Sequence, residues 1–417
     1  KIAIIGVGCR LPGDISTKED FWNMLVTKRV VTSEIPSDRW DREEWFSEDP
    51  VPGTIQTKCG GFITNAYDFD NKYFSISQAE AFEITPEQRW LCELAVETME
   101  DANIRPEELK GSQTGVFVGS AGIDFGGTQL ANTLQMSAHT MTGLEPSIFS
   151  NRISYIFDLH GPSITSNTAC SASMSSLSMA CNAIAVGDCD KAFVAGSNFL
   201  PTPGGFVAFS QLRVVSKTGS CKPFDEKADG YARLEGACML LIKDYEKAVR
   251  DNDKIYATII SSGTNEDGRT LSITLPSSDA QCALMQWVCE KSNIKADTID
   301  YVEAHGTGTP TGDPIEARSI GNAFGKKVRS PNSKPLPVGT VKGNVGHGEF
   351  LSGAIGLLKV SLMLFNRQLV PTAAFEKLNP KIDVDGLGIR VADKNEPLVK
   401  INGKINTPFR AAVNSFG

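Results

Sequence analysis

A chain of 417 residues with 41% hydrophobic and 22% charged residues has material for a large core, and its net charge of −8 argues against a general affinity for nucleic acid or anionic membrane. Its ten cysteines contain no CxxC pair, which excludes the usual zinc and thioredoxin patterns and points to a reducing compartment. A cytoplasmic location is therefore expected, without a metal and without a disulfide framework.

KIAIIGVGCRLPG, at 1–13, reads as a buried strand and a glycine turn. Gly6 and Gly8 suggest a dinucleotide loop, but the third glycine is missing and Pro12 stands where a helix should begin. No signal peptide is expected, because the strand starts at once. Residues 17–110 are charged and irregular, with one clear amphipathic helix over Pro86–Ile104. Gly115–Ser120 is a second buried strand, and 121–150 an irregular insertion. Ser163–Ser166 alternates like a strand, and a turn then leads into a helix predicted to open at Cys170. Lys191–Asn198 and Glu235–Lys243 are strands, with a loop-like stretch at Pro201–Ser220 between them.

A second series starts at the strand Ile255–Gly263. It continues with a helix over Asp279–Ser292, a strand over Ile299–Ala304 and a helix from Pro314. A strand at Leu336–Val341 and a helix at 350–365 complete it. Lys359 and the shortness of that last apolar run argue against a membrane span. Alternating strands and helices predict an α/β architecture with covered sheets. The shared rhythm of roughly 1–250 and 255–417 suggests an internal duplication.

Cys170 at a helix N-terminus would feel the positive end of the helix dipole, which favours thiolate. A small buried structural cysteine is the plainer alternative. Two of the four histidines, His305 and His347, lie in glycine-rich loops directly after apolar strands, where α/β ligand sites assemble. Together they suggest a Cys/His/His site. His139 and His160 lack such a setting and read as surface or packing residues.

TACSAS around Cys170, EAHGTGT at 303–309, GDPIE at 312–316 and KGNVGH at 342–347 resemble the β-ketoacyl synthase (ketosynthase) family. The opening IAIIGVGCRLPG, DGYAR at 229–233, Asp267-Gly268-Arg269 and the final Asn414-Ser415-Phe416-Gly417 resemble ketosynthase domains of type I polyketide synthases. The resemblance runs through the whole chain in order. It implies the thiolase fold, in which two similar halves form a five-layered α/β/α/β/α core, and a homodimer, for which Lys191–Asn198 is the expected edge strand. It also implies a single ketosynthase domain that is part of a larger multidomain enzyme, with a glycine-rich turn following Gly417.

The resemblance implies a chemistry as well. Cys170 would accept an acyl group from an acyl carrier protein or peptidyl carrier domain. A malonyl-type thioester would then lose carbon dioxide and attack it. His305 and His347 would act after acylation, as donors to the developing enolate, with Lys342 supplying positive charge. Thr307 and Thr309 would hydrogen-bond the phosphopantetheine arm, which arrives on the carrier protein. No cofactor belongs to the domain itself. Asp313, Glu316 and Glu235 would be supporting acids, although Thr307 and Thr309 also read as helix-capping hydroxyls and Glu235 as a loop-packing residue.

Several positions depart from the family pattern. Asn167 stands for aspartate, Ala172 for serine, Leu234 for glycine and Gly343 for serine, and Gly-Glu-Phe-Leu follows His347. Bulky Phe350 and Leu351 are expected to reshape the acyl pocket. They motivate a second reading, a non-decarboxylating enzyme that cyclises and releases a β-ketoacyl chain. A third is a non-catalytic carrier-docking module, against which the intact Cys170, His305 and His347 stand.

Overall fold

The computed structural model describes residues 1–122, 133–403 and 407–417. The predicted irregular insertion therefore lies partly outside the described residues. Where it is described, it is more regular than expected, with short helical turns over Thr140–Leu144 and the start of a helix at Ser147.

The first sheet has six strands. These are β1 (Ile2–Arg10), β2 (Gly115–Gly119), β3 (Ser163–Ser166), β4 (Lys191–Asn198), β5 (Gly236–Asp244) and β6 (Ala257–Ile259), in the spatial order β3-β2-β4-β5-β1-β6. Strands β2, β3 and β4 run parallel, while β5 is antiparallel to both β4 and β1. Alternation, shifted by one residue at a bulge between Ile4 and Gly6, divides β1 between two cores: Ile4, Val7 and Cys9 face one, Ala3 and Ile5 the other. Both faces are therefore covered, which is why these strands read as continuous apolar runs.

On the outer face lie α1 (Pro86–Asp101) and α2 (Ser147–Phe157). The inner face meets α3 (Ala172–Val186) and α7 (Ser352–Asn366). Beyond these two helices stands the second sheet, all parallel. Its strands are β7 (Tyr301–Glu303), β8 (Leu336–Gly339), β9 (Ile389–Val391) and β10 (Ala411–Val413), in the order β9-β8-β7-β10. Helices α5 (Ser278–Lys291) and α6 (Gly312–Phe324) cover it from outside. The result is the five-layered thiolase-type α/β/α/β/α stack.

Three elements depart from expectation. Lys191–Asn198 is not an edge strand: as β4 it sits between β2 and β5, with Ala192–Asn198 buried. Edges are poor places for so apolar a strand, and the sheet ends instead on β3 and β6. The loop-like stretch at Pro201–Ser220 contains a helix, α4 (Pro203–Gln211). Gly204 and Gly205 hide it from propensity reasoning, but Phe206 anchors it against Trp40 and Phe62. Strand β6 is much shorter than Ile255–Gly263.

The segment Glu349–Asn366 is apolar over 18 residues, so shortness alone does not argue against a membrane span. Its packing does: 78% of that stretch is buried inside the protein. Lys359 is fully buried there and its Nζ lies 2.7 Å from Glu303 Oε2. The other long apolar helix, Ala169–Val186, is the central helix α3 with its approach, half buried against the sheets.

Candidate active site

Strand β3 ends at Ser166, and a tight turn carries the chain to Cys170 before α3 begins. Asn167 Oδ1 accepts a hydrogen bond from Ala169 N at 3.0 Å. The asparagine thus makes the turn as an aspartate would. Ala169 is forced to φ +50°, the left-handed region that non-glycine residues rarely occupy, and this strain lifts Cys170 out of the helix. The helix proper starts at Ala172 rather than at Cys170.

The loop after β8 brings His347 to that sulfur. Its Nε2 lies 3.1 Å from Cys170 Sγ, and its Nδ1 lies 2.7 Å from Ser352 Oγ at the start of α7. Two backbone bonds fix the loop, from His347 N to Ala232 O (2.7 Å) and from Leu234 N to His347 O (3.0 Å). Beneath it Arg233 grips Glu349 through two bonds of 2.6 and 3.0 Å. Gly343 packs its Cα against the Ala373 carbonyl so closely that a serine side chain has no room.

The loop after β7 brings His305. Its ring stands perpendicular to that of His347, with centroids 5.3 Å apart. Nδ1 of His305 accepts from Phe416 N at 3.3 Å, so its proton sits on Nε2. Glu316, from α6, accepts from His305 N (2.7 Å), Gly306 N (2.8 Å) and Asn414 Nδ2 (3.2 Å). Asp313 accepts from Phe224 N (2.7 Å) and Gly308 N (3.1 Å). Both acids therefore hold the histidine loop by its backbone. Burial pushes Asp313 up to about 7.

Cys170, His305, His347, Thr307, Thr309, Asp313 and Glu316 all line one cleft of about 1600 Å³. Lys342 is buried behind it, where its charge helps to hold both histidines below their ordinary pKa, although burial is the larger cause for each. Both rings are therefore neutral. Burial, seconded by Glu349, pushes the Cys170 thiol up to about 12, with Lys342 opposing. Burial thus outweighs the opposing charge of Lys342, and the resting sulfur is a thiol facing an imidazole.

Thr309 Oγ1 accepts from Gly312 N at 3.2 Å, so the hydroxyl caps α6 as well as lining the cleft. Glu235 is not at the site. It is fully buried elsewhere, accepting from Arg39 Nη2 and Ile63 N at 2.8 Å and from Leu200 N at 3.2 Å. Nor do Phe350 and Leu351 line the cleft, contrary to expectation. Leu351 is fully buried and packs on Gly196 of β4. His160 pairs at the surface with Asp158 (2.9 Å), and His139 is half-buried outside the cleft, in keeping with a surface or packing role.

Three participants escape a reading of the sequence. Ser352 lies beyond an intervening 3₁₀ turn, so no periodicity links it to His347. Phe416 acts through its backbone, and Tyr231 through an edge-on ring contact with His347 at 4.8 Å. Lys359 does carry a signal, a charge inside an apolar helix, which marks a buried ion pair as readily as it argues against a membrane.

Comparison with known proteins gives one answer. Residues 1–248 match the family described as Beta-ketoacyl synthase, N-terminal domain, and residues 256–376 the corresponding C-terminal domain. One of the phenolphthiocerol/phthiocerol polyketide synthase subunits of Mycobacterium tuberculosis is 38% identical over 417 residues, which are 100% of this chain and 22% of that protein. Highly reducing polyketide synthase 19 of Pyricularia oryzae is 39% identical over 425 residues, 100% of this chain and 16% of that protein. The chain thus spans about a fifth of these relatives' length or less. Among solved structures, the oxazolomycin ketosynthase domain of Streptomyces albus superposes with a TM-score of 0.92 at 33% identity, covering 100% of this chain and 73% of that one. The ketosynthase from module 6 of the Bacillus subtilis bacillaene synthase gives 0.88 at 33% identity, covering 100% and 70%.

Proposed function

The chain belongs to the β-ketoacyl synthase family of acyltransferases, as a ketosynthase domain of the polyketide synthase type, and from that premise we propose that it forms carbon–carbon bonds by decarboxylative condensation during polyketide assembly. The observation that carries the proposal is the convergence of Cys170, His347 and His305 in one cleft.

In the first step the Cys170 sulfur attacks the acyl thioester of a carrier protein. A new C–S bond forms and the bond to the carrier's pantetheine sulfur breaks. The thiol proton passes through His347 to the departing sulfur. In the second step a malonyl-type thioester loses carbon dioxide, and the electron pair of the broken C–C bond becomes an enolate. The Nε2–H of His305 donates to its oxygen. The enolate carbon then attacks the acyl carbon, the C–S bond to Cys170 breaks as the new C–C bond forms, and the departing thiolate takes a proton from solvent. Lys342 supplies positive charge along this path, and Thr307 and Thr309 offer hydroxyls to the phosphopantetheine arm. That arm, on an acyl carrier or peptidyl carrier domain, is the partner group this reading requires. We assign the chain as one ketosynthase domain of a larger multidomain enzyme that works as a homodimer.

The cyclising alternative is motivated by the departures after His347, and the bulky ones among them, Phe350 and Leu351, stand outside the cleft, which supports extension as the better reading. The test is carbon dioxide release from a malonyl thioester on a matched carrier. His305→Ala should lower it on the order of a hundred- to a thousand-fold while Cys170 is still acylated. A wild-type domain that is acylated yet never decarboxylates a malonyl thioester would replace extension with the release reading.

A further inference from the structure

The two site histidines differ in what holds their far nitrogens. His305 Nδ1 faces a backbone N–H, that of Phe416, which can only donate. His305 is therefore fixed with its proton on Nε2. His347 Nδ1 faces the hydroxyl of Ser352 at 2.7 Å, and a hydroxyl can accept. On its other side, Nε2 faces Cys170 Sγ at 3.1 Å. The sulfur carries its proton at rest, because burial keeps it a thiol. A thiol gives its proton to an acceptor better than it accepts one. That assigns the lone pair of His347 to Nε2 and its proton to Nδ1, donated to Ser352. Ser352 is 3% exposed, and this is the one hydrogen bond its hydroxyl makes to another described side chain.

We propose that Ser352 is a positioning residue that fixes His347 in the tautomer opposite to that of His305, so that one histidine meets the cleft as a proton acceptor and the other as a donor. The inference deepens the proposed condensation and rests on it for its place in the cycle. During acylation the Cys170 proton moves to His347 Nε2 as the C–S bond forms. It leaves to the departing pantetheine sulfur, while the Nδ1 proton remains hydrogen-bonded to Ser352 Oγ throughout. Nothing is oxidised or reduced, and His347 returns to its starting form. An alanine at 352 leaves a buried imidazole N–H without an acceptor. That penalises the working tautomer and frees the proton to move to Nε2, where it faces the sulfur as a competing donor.

The chain has only four histidines, so ¹⁵N-histidine labelling resolves each ring. In the wild-type domain, long-range ¹H–¹⁵N spectra should show His305 protonated at Nε2 and His347 at Nδ1. In Ser352→Ala, His347 should lose its single Nδ1–H signature while His305 keeps its own. Acylation of Cys170 by an acyl pantetheine thioester, followed by intact mass, should slow on the order of ten- to a hundred-fold. Ser352→Thr, which keeps the hydroxyl, should recover both readouts. A wild-type His347 protonated at Nε2 would overturn the proposal, as would a Ser352→Ala variant whose tautomer is unchanged and whose acylation rate is within about twofold of wild type. A wild-type domain that shows the two opposite tautomers and is acylated, but releases no carbon dioxide, would sink chain extension and leave the role of Ser352 standing.

Discussion

Two fields of opposite sign act on the Cys170 sulfur. Burial and the Glu349 carboxylate favour thiol, while the charge of Lys342 favours thiolate. Burial is the larger effect and pushes the thiol up to about 12. The sign is then fixed: a raised thiol pKa means that the thiolate fraction is small at neutral pH and grows as pH rises toward that value. Alkylation of Cys170 by iodoacetamide should therefore climb steadily between about pH 7 and pH 9 with no plateau. Cys170→Ala serves as the control that assigns the adduct, and it should also abolish acylation by a thioester while leaving the circular dichroism spectrum unchanged. A plateau near neutrality would reveal a preformed thiolate–imidazolium pair and contradict this account. In the proposed mechanism, acylation escapes the penalty because His347 takes the proton only as the C–S bond forms.

Among the elements, α7 shows how a buried charge fixes a loop. Lys359 Nζ meets Glu303 Oε2 at 2.7 Å, with their side chains 0% and 2% exposed. Glu303 also accepts from Tyr301 Oη at 2.6 Å and from Val341 N at 2.7 Å. One carboxylate thus ties α7 to the end of β7 and to the residue just before Lys342, the two segments that carry the site loops. Removing a single partner leaves the other buried without compensation, at a typical cost of about 3–5 kcal/mol. Lys359→Met should lower the urea midpoint accordingly, and adding Glu303→Gln should recover much of the loss. A single variant within about 1 kcal/mol of wild type would show that the pair is dispensable.

For the whole molecule, the observed sheet order moves the expected dimer contact. Strand β3 pairs with β2 on one side, and its other edge is open among the described residues. The next residues, Asn167 to Ala169, are largely exposed, and Ile164 on the strand itself is 40% exposed. A two-fold pairing of β3 with a second copy would cover this edge beside the nucleophile turn. Light scattering at micromolar concentration should find a dimer, and Ile164→Lys should shift it toward monomer. A monomeric wild-type chain would remove the homodimer from the proposal.

Strong local signals explain how much can be read from the chain alone. Strands such as Lys191–Asn198 announce themselves by continuous apolarity, and α1 by a proline at its first turn and an apolar stripe. Cys170, His305 and His347 stand out because each sits in a small-residue or glycine-rich loop at the end of an apolar segment, where little else competes for attention. The sequence by itself therefore determined the α/β class, the candidate reacting groups and the loops that present them. Position within a sheet is another matter, since it depends on which strands find each other across the chain. That is why β4 reads as an edge yet stands inside the sheet. The same holds for α4, made by the burial of Phe206 against its glycines' propensity, and for Leu351, turned into the core instead of the cleft. Only the tertiary structure decided the thiol state of Cys170 and the partners of the two imidazoles. Those depend on burial and on groups such as Ser352 and the Phe416 backbone, brought together by packing that no local pattern encodes.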